Sequence, residues 1–209
     1  MQWKGKAAAL CAAWALACAA VAAAPAAGAT GQGPQGEAQD MLRWVAASGD
    51  AQGHPFLIVD KKAARLYAFR PDGRLLAATD VLLGSAPGDH SVPGVGERAQ
   101  SGTLAPQERT TPAGRFLTQP GRNLDGEHVI WFDYDAALAI HRLRPGRSHR
   151  LRAARLAGSQ PHERRLSLGC VVVPVAFYLD VIEPLLGKRA GVVYVMPETG
   201  DARDLFMAL

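Results

Sequence analysis

The order of apolar and polar residues divides the chain into three stretches. From Ala7 to Ala24 the chain is a run of uncharged, mostly small apolar residues behind a short basic start. Residues 30–39 are rich in Gly, Gln and Pro without apolar periodicity, which predicts a flexible linker. After His54, short apolar runs separated by turn residues predict a succession of β-strands.

The first stretch predicts a secretory signal peptide over residues 1–29. The small residues Ala27 and Ala29 suit a signal peptidase, so we expect cleavage after Ala29. Two alternatives stay open. One is a transmembrane anchor, because the apolar run is nearly long enough to span a bilayer. The other is lipid attachment at Cys18.

A short helix is predicted over residues 40–47. Met41, Trp44 and Val45 recur at helical spacing and therefore share one face, and Asp40 is a suitable N-cap. An antiparallel meander follows, in which Pro71-Asp72-Gly73 forms a turn. Its predicted strands are residues 56–59, 65–69 and 75–83, with Ile58, Leu66 and Val81 on an inner face.

The remaining chain predicts a long loop, more strands and one further helix. Residues 85–109 are rich in Gly, Pro and charges, and loops of that length are usually functional or mobile. A helix is predicted to begin at Pro174 and to end at Gly187. Further strands are predicted near residues 111–116, 128–134, 138–143 and 191–197.

Length and charge limit the class of protein. Cleavage of the leader would remove Lys4 and Lys6 and no acidic residue. The chain would then keep 21 of its 23 basic residues and all 19 acidic ones. This near balance gives no argument for nucleic-acid binding. The remaining chain, about 180 residues, is enough for one domain with a full core. The predicted parts are a linker with a short helix over 30–53, a domain over 54–197 and a tail over 198–209.

Cys170 becomes the only cysteine once the leader is removed, so no internal disulfide is expected. It stands between Gly169 and the apolar run 171–173. Such a thiol is either a buried, inert residue of a core strand or a nucleophile. A nucleophile needs a base, oxyanion donors and access to substrate, and the amides of Gly169 and Cys170 are candidate donors.

His141 is the best candidate for the base, and His128 is the second; both lie in predicted strands. The other four of the six histidines fall in loop-like contexts. No pair of histidines has the spacing of metal ligands, and one cysteine makes no zinc site. We therefore expect neither a metal nor a cofactor.

Residues 145–165 form a basic insertion, in which six arginines and two histidines face the single acid Glu163. Runs of charge are usually solvated surfaces, so a solvated loop or helical turn is one interpretation. The other is a lid or rim that attracts an anionic polymer or the carboxylates of a substrate.

Three sequence elements, taken together, resemble the catalytic domain of bacterial L,D-transpeptidases. They are Thr111-Pro112-Ala113-Gly114-Arg115-Phe116, Ile140-His141 and Ser167-Leu168-Gly169-Cys170-Val171, and they follow the order found in that family. The resemblance covers roughly residues 54–197.

This resemblance implies a mainly β fold, a β-sandwich or barrel with a few short helices, one of them just after Cys170. It also implies an exported enzyme of the periplasm or cell envelope that acts on peptidoglycan stem peptides. Cys170 would attack the third stem residue, expel D-alanine and pass the acyl group from its thioester to an amine. His141 would be the base, Gly169 would help to hold the oxyanion, and Ser167 would shape the loop. We expect no nucleic acid, no membrane insertion after leader cleavage, and a monomer.

Three positions depart from the family's usual pattern. Arg142 stands in place of Gly, Leu168 in place of His, Lys or Arg, and Val172 in place of Arg or Asn. Arg142 and the insertion's Arg165 are the candidates to replace the polar group absent at Val172 in substrate binding. Two other functions remain open. One is an L,D-carboxypeptidase or other thiol hydrolase, and the other is a non-catalytic protein that binds the cell wall.

Overall fold

The computed structural model describes residues 32–206. The predicted signal peptide, including Cys18, lies outside the described residues. None of the helices within that range is long and apolar enough to cross a membrane. The helices are α1 (Glu37–Ser48), α2 (Val95–Ser101), α3 (His149–Ala157), α4 (Val175–Phe177), α5 (Glu183–Leu186) and α6 (Ala202–Phe206). The strands are β1 (Phe56–Asp60), β2 (Arg65–Phe69), β3 (Leu75–Asp80), β4 (Leu83–Gly84), β5 (Gly114–Arg122), β6 (His128–Asp133), β7 (Leu138–Arg142), β8 (Arg165–Ser167), β9 (Val171–Val173) and β10 (Gly191–Val195).

Eight strands form one sheet in the order β3-β2-β1-β10-β5-β6-β7-β9. The pairs β1–β10 and β7–β9 are parallel, and the other neighbours are antiparallel. After β3 the chain crosses to the opposite edge of the sheet. There Leu82 and Val172 exchange two backbone hydrogen bonds of 2.9 Å. The sheet is thereby nearly closed, and the predicted mainly β fold with short helices is confirmed.

Apolar side chains lie on both faces of the sheet. The largest cluster includes Leu57, Ile140 and Val193 and packs against the helix that follows Cys170. That helix runs through α4, a π-helical turn over Tyr178–Ile182, and α5. A second cluster lies between the sheet and α1 and α6, and a third, small one lies under α3. The small cluster consists of Leu82, Leu143, Leu156 and Val172.

Two details of the sequence prediction are wrong. The first helix begins at Glu37 behind the N-cap Gly36, so Asp40 lies inside the helix, where it pairs with Arg203 of α6 at 2.7 Å. Ile58 lies opposite Tyr67 and belongs to the cluster under α1, whereas Leu66 belongs to the largest cluster. Both faces of β1 are covered, so its residues are apolar without alternation and the sequence cannot assign a face.

The two long connections contain helices that the sequence did not define. Residues 85–109 contain α2 and a 3-10 turn, Pro106–Glu108, and the basic insertion contains α3 and a second 3-10 turn, Pro161–Arg164. Gly96 of α2 lies so close to the β6–β7 turn that an added Cβ would be 2.1 Å from the carbonyl oxygen of Asp135. Packing against the sheet therefore fixes α2 beside that turn.

Candidate active site

The alternation of side chains in β6, β7 and β9 creates the candidate site. Ile130, Ile140 and Val171 point into the largest apolar cluster. Their neighbours in sequence point to the other face of the sheet. In the parallel pairing of β7 with β9, His141 lies opposite Val172, two residues after Cys170. The strands therefore bring Cys170 and His141, which are 29 positions apart in the chain, to the same face.

On this face lies a cleft of about 410 Å³ that both Cys170 and His141 line. Its floor includes Val129, Trp131 and Ala139 from the strands. Leu124, Tyr134 and Leu168 form an apolar rim, and their side chains are 87%, 74% and 48% exposed. Leu168 replaces a residue that is usually basic in the family the sequence resembles, and here it adds apolar surface to the opening. The remaining lining residues are Ala99, Gln100, Arg122, Asn123, Asp125, Ala136, Ala137, Leu138 and Arg144.

The loop before Cys170 is held by hydrogen bonds to two hydroxyl groups. Ser167 Oγ donates to the carbonyl oxygen of Cys170 (2.6 Å) and accepts from the N–H of Gly169 (3.1 Å). The buried Thr111 Oγ1 donates to the carbonyl oxygen of Gly169 (2.8 Å) and accepts from the N–H of Gly84 (2.9 Å). Thr111 thus positions the cysteine loop, a role for the Thr-Pro-Ala-Gly element that the sequence alone did not define.

Gly169 is required by the shape of this loop. Its φ of +129° is disfavoured for residues with a side chain. A Cβ at this position would lie 2.7 Å from Leu138 and 2.8 Å from the carbonyl oxygen of Thr110. Because the Gly169 amide donates to Ser167, its hydrogen is directed into the loop rather than at a substrate.

Cys170 lines the cleft, and its side chain is only partly exposed. Its Sγ lies 3.8 Å from the carbonyl oxygen of Ala137, to which the S–H donates. Burial raises the pKa of the thiol, while the N–H of Ala139 and the charges of Arg144 and Arg152 act in the opposite direction. Cys170 is therefore a neutral thiol near pH 7, with groups around it that favour the thiolate once the proton leaves.

His141 is oriented by one backbone hydrogen bond. Its Nδ1 lies 2.8 Å from the carbonyl oxygen of Arg142, which can only accept, so Nδ1 carries the hydrogen and Nε2 keeps its lone pair. Burial lowers the pKa of His141 to about 3, and the positive charges of Arg144 and Arg152 contribute in the same direction. The side chain is therefore a neutral imidazole at physiological pH, with the nitrogen that can accept a proton not engaged by Arg142.

A basic wall stands beside the two residues. Arg144 lines the cleft, and its Nε pairs with Glu127 Oε2 at 2.6 Å. Arg142 pairs with the other oxygen of the same carboxylate at 3.2 Å. Arg152 approaches from α3 and has a buried Nε without a hydrogen-bond partner in the described part of the chain. Sequence reasoning chose neither Arg144 nor Arg152; the concentration of arginine was the only signal for them.

The structure places the other candidates away from the cleft. Arg165 pairs with Glu198 at 2.5 Å and donates to the carbonyl oxygen of Lys61, so it lies in a different polar cluster. His128 Nδ1 lies 2.8 Å from the hydroxyl of Tyr178, and that hydroxyl donates to the carbonyl oxygen of His128 itself. Within residues 32–206, no group of three or more His, Cys, Asp or Glu side chains is arranged to hold a metal ion.

Comparison with known proteins gives only distant resemblances. No protein-family model matches the chain, and neither does any curated protein. Among solved structures, the Ldtfm–avibactam carbamoyl enzyme has 18% identity and a TM-score of 0.41, over 69% of this chain and 49% of that one. A cysteine-to-serine mutant of Enterococcus faecium L,D-transpeptidase has 17% identity and a TM-score of 0.40, over 68% and 50%.

A third match is the catalytic domain of the E. faecium L,D-transpeptidase, with 18% identity and a TM-score of 0.37, over 69% of this chain and 98% of that domain. This chain therefore spans about half the length of the first two structures and nearly all of the isolated domain. Identities and TM-scores this low assign neither a substrate nor a residue role to this protein.

Proposed function

We propose that this protein is an exported cysteine acyltransferase of the L,D-transpeptidase type that acts on peptidoglycan stem peptides. The observation that carries the proposal is the placement of Cys170 and His141 in one cleft, with His141 Nδ1 donating to a carbonyl and Nε2 left as a base. The substrate class comes from the sequence resemblance. The three elements that carry this resemblance contain the proposed nucleophile, the proposed base and Thr111, whose hydroxyl holds the loop before Cys170.

Both reacting groups are neutral in the resting site, which determines the order of proton transfer. His141 Nε2 takes the thiol proton as sulfur attacks the carbonyl carbon of the acyl donor, and the carbonyl becomes an oxyanion. The Gly169 amide is occupied by Ser167, so the oxyanion donors are the N–H groups that face the thiol. Ala139 N–H, which acts to lower the pKa of the thiol, and Cys170 N–H are the two candidates.

Collapse of the oxyanion breaks the amide bond and forms the thioester. The departing amine of D-alanine takes the proton from His141, which returns to its neutral form. An acceptor amine then gives its proton to His141 and attacks the thioester, and Cys170 leaves as the thiol after the proton returns to sulfur. Bonds and protons balance over the cycle without a metal or cofactor step.

Release of D-alanine from a synthetic tetrapeptide stem tests this function. We expect release by the wild type and a loss of about a thousandfold in Cys170→Ser and in His141→Gln, because each change removes a group that reacts or transfers the proton. Intact-mass analysis should show an acyl adduct on the wild type that is absent from Cys170→Ser. His128→Gln is the matched control, since His128 lies away from the cleft, and it should retain activity.

The same assay separates the competing functions. A transferase consumes an added amine acceptor and yields a cross-linked product, whereas an L,D-carboxypeptidase releases D-alanine equally well without it. A non-catalytic protein would bind peptidoglycan without releasing D-alanine or forming an adduct. If Cys170→Ser were to release D-alanine at the wild-type rate, the proposed nucleophile would be wrong.

A further inference from the structure

The wall beside Cys170 carries more positive charge than its neighbours neutralise. Glu127 is the only carboxylate that pairs with this wall in the described residues, and Arg142 and Arg144 share its two oxygens. Arg152 adds a third guanidinium, and no side-chain hydrogen bond or ion pair to it is found in residues 32–206. Like charges held together at a half-buried position are unfavourable unless an anion joins them.

The packing of α3 explains why Arg152 is held there. Leu156 and Ala153 pack with Val172 and Leu143 in the small apolar cluster. Arg152 lies one helical turn before Leu156, on the same face of α3. The face of the sheet that carries Val172 also carries Cys170, two residues earlier. Val172 is thus part of the apolar surface on which α3 packs, and α3 carries the Arg152 guanidinium.

Electrostatics agree with this placement. The charges of Arg144 and Arg152 both lower the pKa of His141, and both act against the burial that raises the pKa of Cys170. The two arginines also lie close enough for Arg144 to lower the pKa of Arg152, after the larger effect of burial. Thiol, imidazole and both guanidinium groups therefore lie in one neighbourhood.

We propose that Arg144 and Arg152 form a carboxylate-binding subsite beside Cys170, which holds an anionic group of the acyl donor next to the reacting carbonyl. A guanidinium pair suits a carboxylate, because each planar group offers paired N–H donors to its two oxygens. The substrate assignment rests on the proposed function, but the subsite itself does not. The subsite predicts that small anions bind next to Cys170 whatever the natural substrate of the enzyme is.

Alkylation of Cys170 measures the subsite without any substrate. Iodoacetate and iodoacetamide have nearly the same size, and only the first carries a carboxylate. Both react with the thiolate, so the ratio of their rates at one pH cancels any change in the thiol's pKa. We expect a ratio in the wild type about tenfold above that of a small free thiol. The ratio should fall about tenfold in Arg152→Gln, and it should fall as salt rises.

The matched control is Arg150→Gln, which removes the same charge from an exposed position of α3. It should leave the ratio nearly unchanged, because an exposed charge is screened by solvent. Arg152→Lys should keep part of the ratio, since it keeps the charge and loses the planar pair of donors. Circular dichroism of each variant shows whether the fold is retained, and Arg144→Gln serves as a second disruption of the subsite.

The outcomes separate the two proposals. A wild-type ratio equal to that of a free thiol overturns the subsite, as does a high ratio that neither Arg144→Gln nor Arg152→Gln lowers. A high ratio that depends on Arg152 supports the subsite even if no D-alanine is released. With an active enzyme, stems amidated either at the terminal D-alanine or at the side chain of the third residue identify which carboxylate binds. The relevant amidated stem should show a KM raised about tenfold in the wild type and unchanged by Arg152→Gln.

Discussion

Two groups of buried or half-buried charges in the described residues differ in how they are paired, one around Lys61 and Asp89 and the other around Arg144 and Arg152. At the first, Lys61 Nζ donates to Asp89 Oδ1 (2.6 Å) and to the carbonyl oxygens of Gly88 (2.6 Å) and Thr111 (2.8 Å), so every one of its hydrogens has an acceptor. At the second, one carboxylate pairs with two arginines, and Arg152 has no carboxylate partner within residues 32–206.

The first cluster joins distant parts of the chain. Asp89 also accepts from the backbone N–H of Glu198 (2.7 Å) and from the hydroxyl of Thr199 (2.7 Å). Burial acts to raise the pKa of Asp89, but these hydrogen bonds, led by the one from Lys61, hold it well below its usual range. Through Glu198 the cluster reaches Arg165, which is why that arginine is a structural residue here.

The contrast shows what distinguishes a charge that supports the fold from one available to a ligand. Both clusters are rich in charged groups, and neither is distinguished by composition. In the Lys61 cluster each positive charge has a carboxylate partner among the described residues, Lys61 with Asp89 and Arg165 with Glu198, although one buried nitrogen of Arg165 has no hydrogen bond there. In the cleft, Arg152 has no carboxylate partner among the described residues and its charge acts on the thiol and the imidazole, which leaves it available to an anionic ligand.

The largest effect on stability is expected at the satisfied cluster. Lys61→Met keeps the length of the side chain but leaves Asp89 and two carbonyl oxygens without their donor. Breaking a buried pair from one side should cost about 4 kcal/mol of the free energy of unfolding, measured by urea denaturation at pH 7. Arg152→Met is the matched comparison and should cost little or nothing, because it removes an unpaired charge.

The outcome that would contradict this contrast is an equal loss in the two variants. Lys61→Met combined with Asp89→Asn should recover part of the loss, since the unpaired carboxylate is then gone. If the double variant were no more stable than Lys61→Met alone, the pairing of charges would not be the source of the stability.

The sequence predicted the fold better than it predicted which charged side chains are paired and which are not. Short apolar runs bounded by turns defined most of the strands, because strand length and turn chemistry are local. The face of Ile58 was wrong because α1 covers the side that a single-layer pattern leaves to solvent. Cys170 and His141 stay predictions as reacting groups, although the structure puts them in one cleft.

The arginines show the limit of local reasoning most clearly. Arg142 and Arg165 were chosen by their distance along the chain from His141 and Cys170. Arg144 lines the cleft, the docking of α3 brings the charge of Arg152 close enough to lower the pKa of Cys170, and Arg165 pairs with Glu198 instead. Such choices depend on which partner each side chain meets, and that is fixed by the tertiary fold.

Thr111 connects the two clusters, and its replacement should have the next largest effect. Its carbonyl oxygen accepts from Lys61, while its hydroxyl bridges Gly84 and Gly169. Thr111→Val keeps the shape and leaves a buried N–H and a buried carbonyl unpaired, at a cost of about 3 kcal/mol in the free energy of unfolding.

Thr111→Val should disturb the Cys170 loop more than the Lys61 cluster. The loop is held by the Thr111 hydroxyl, which the variant lacks, whereas Lys61 donates to the backbone carbonyl of residue 111, which the variant keeps. Thr111→Ser restores both hydrogen bonds and is the control. Alkylation of Cys170 by iodoacetamide should change rate in Thr111→Val and return towards the wild-type rate in Thr111→Ser. If Thr111→Ser were as altered as Thr111→Val, the packing of the side chain, not the hydroxyl bridge, would govern the loop.

The smallest of these effects is a dependence of stability on pH between pH 7.5 and pH 5 that comes from the cleft, since the lowered pKa of Asp89 in the Lys61 cluster affects stability only at lower pH. The pKa of His141 is lowered to about 3, from an ordinary value near 6.5, so between these values the unfolded chain binds a proton that the folded protein does not. Stability from this source is therefore complete above about pH 6.5 and declines as the pH falls towards 3. At pH 5 the loss is about 2 kcal/mol.

Replacing His141 by Gln removes this titration, so the comparison is made between two curves of stability against pH. The stability of the wild type relative to His141→Gln should fall by about 2 kcal/mol from pH 7.5 to pH 5. His90→Gln, at an exposed position, shows what the loss of a histidine does elsewhere on the chain. Were the wild type and His141→Gln to change in parallel, His141 would be taking up its proton in the folded state. The cleft would then be hydrated or already supplied with an anion, and the contrast between an unsatisfied basic cleft and a satisfied Lys61 cluster would disappear.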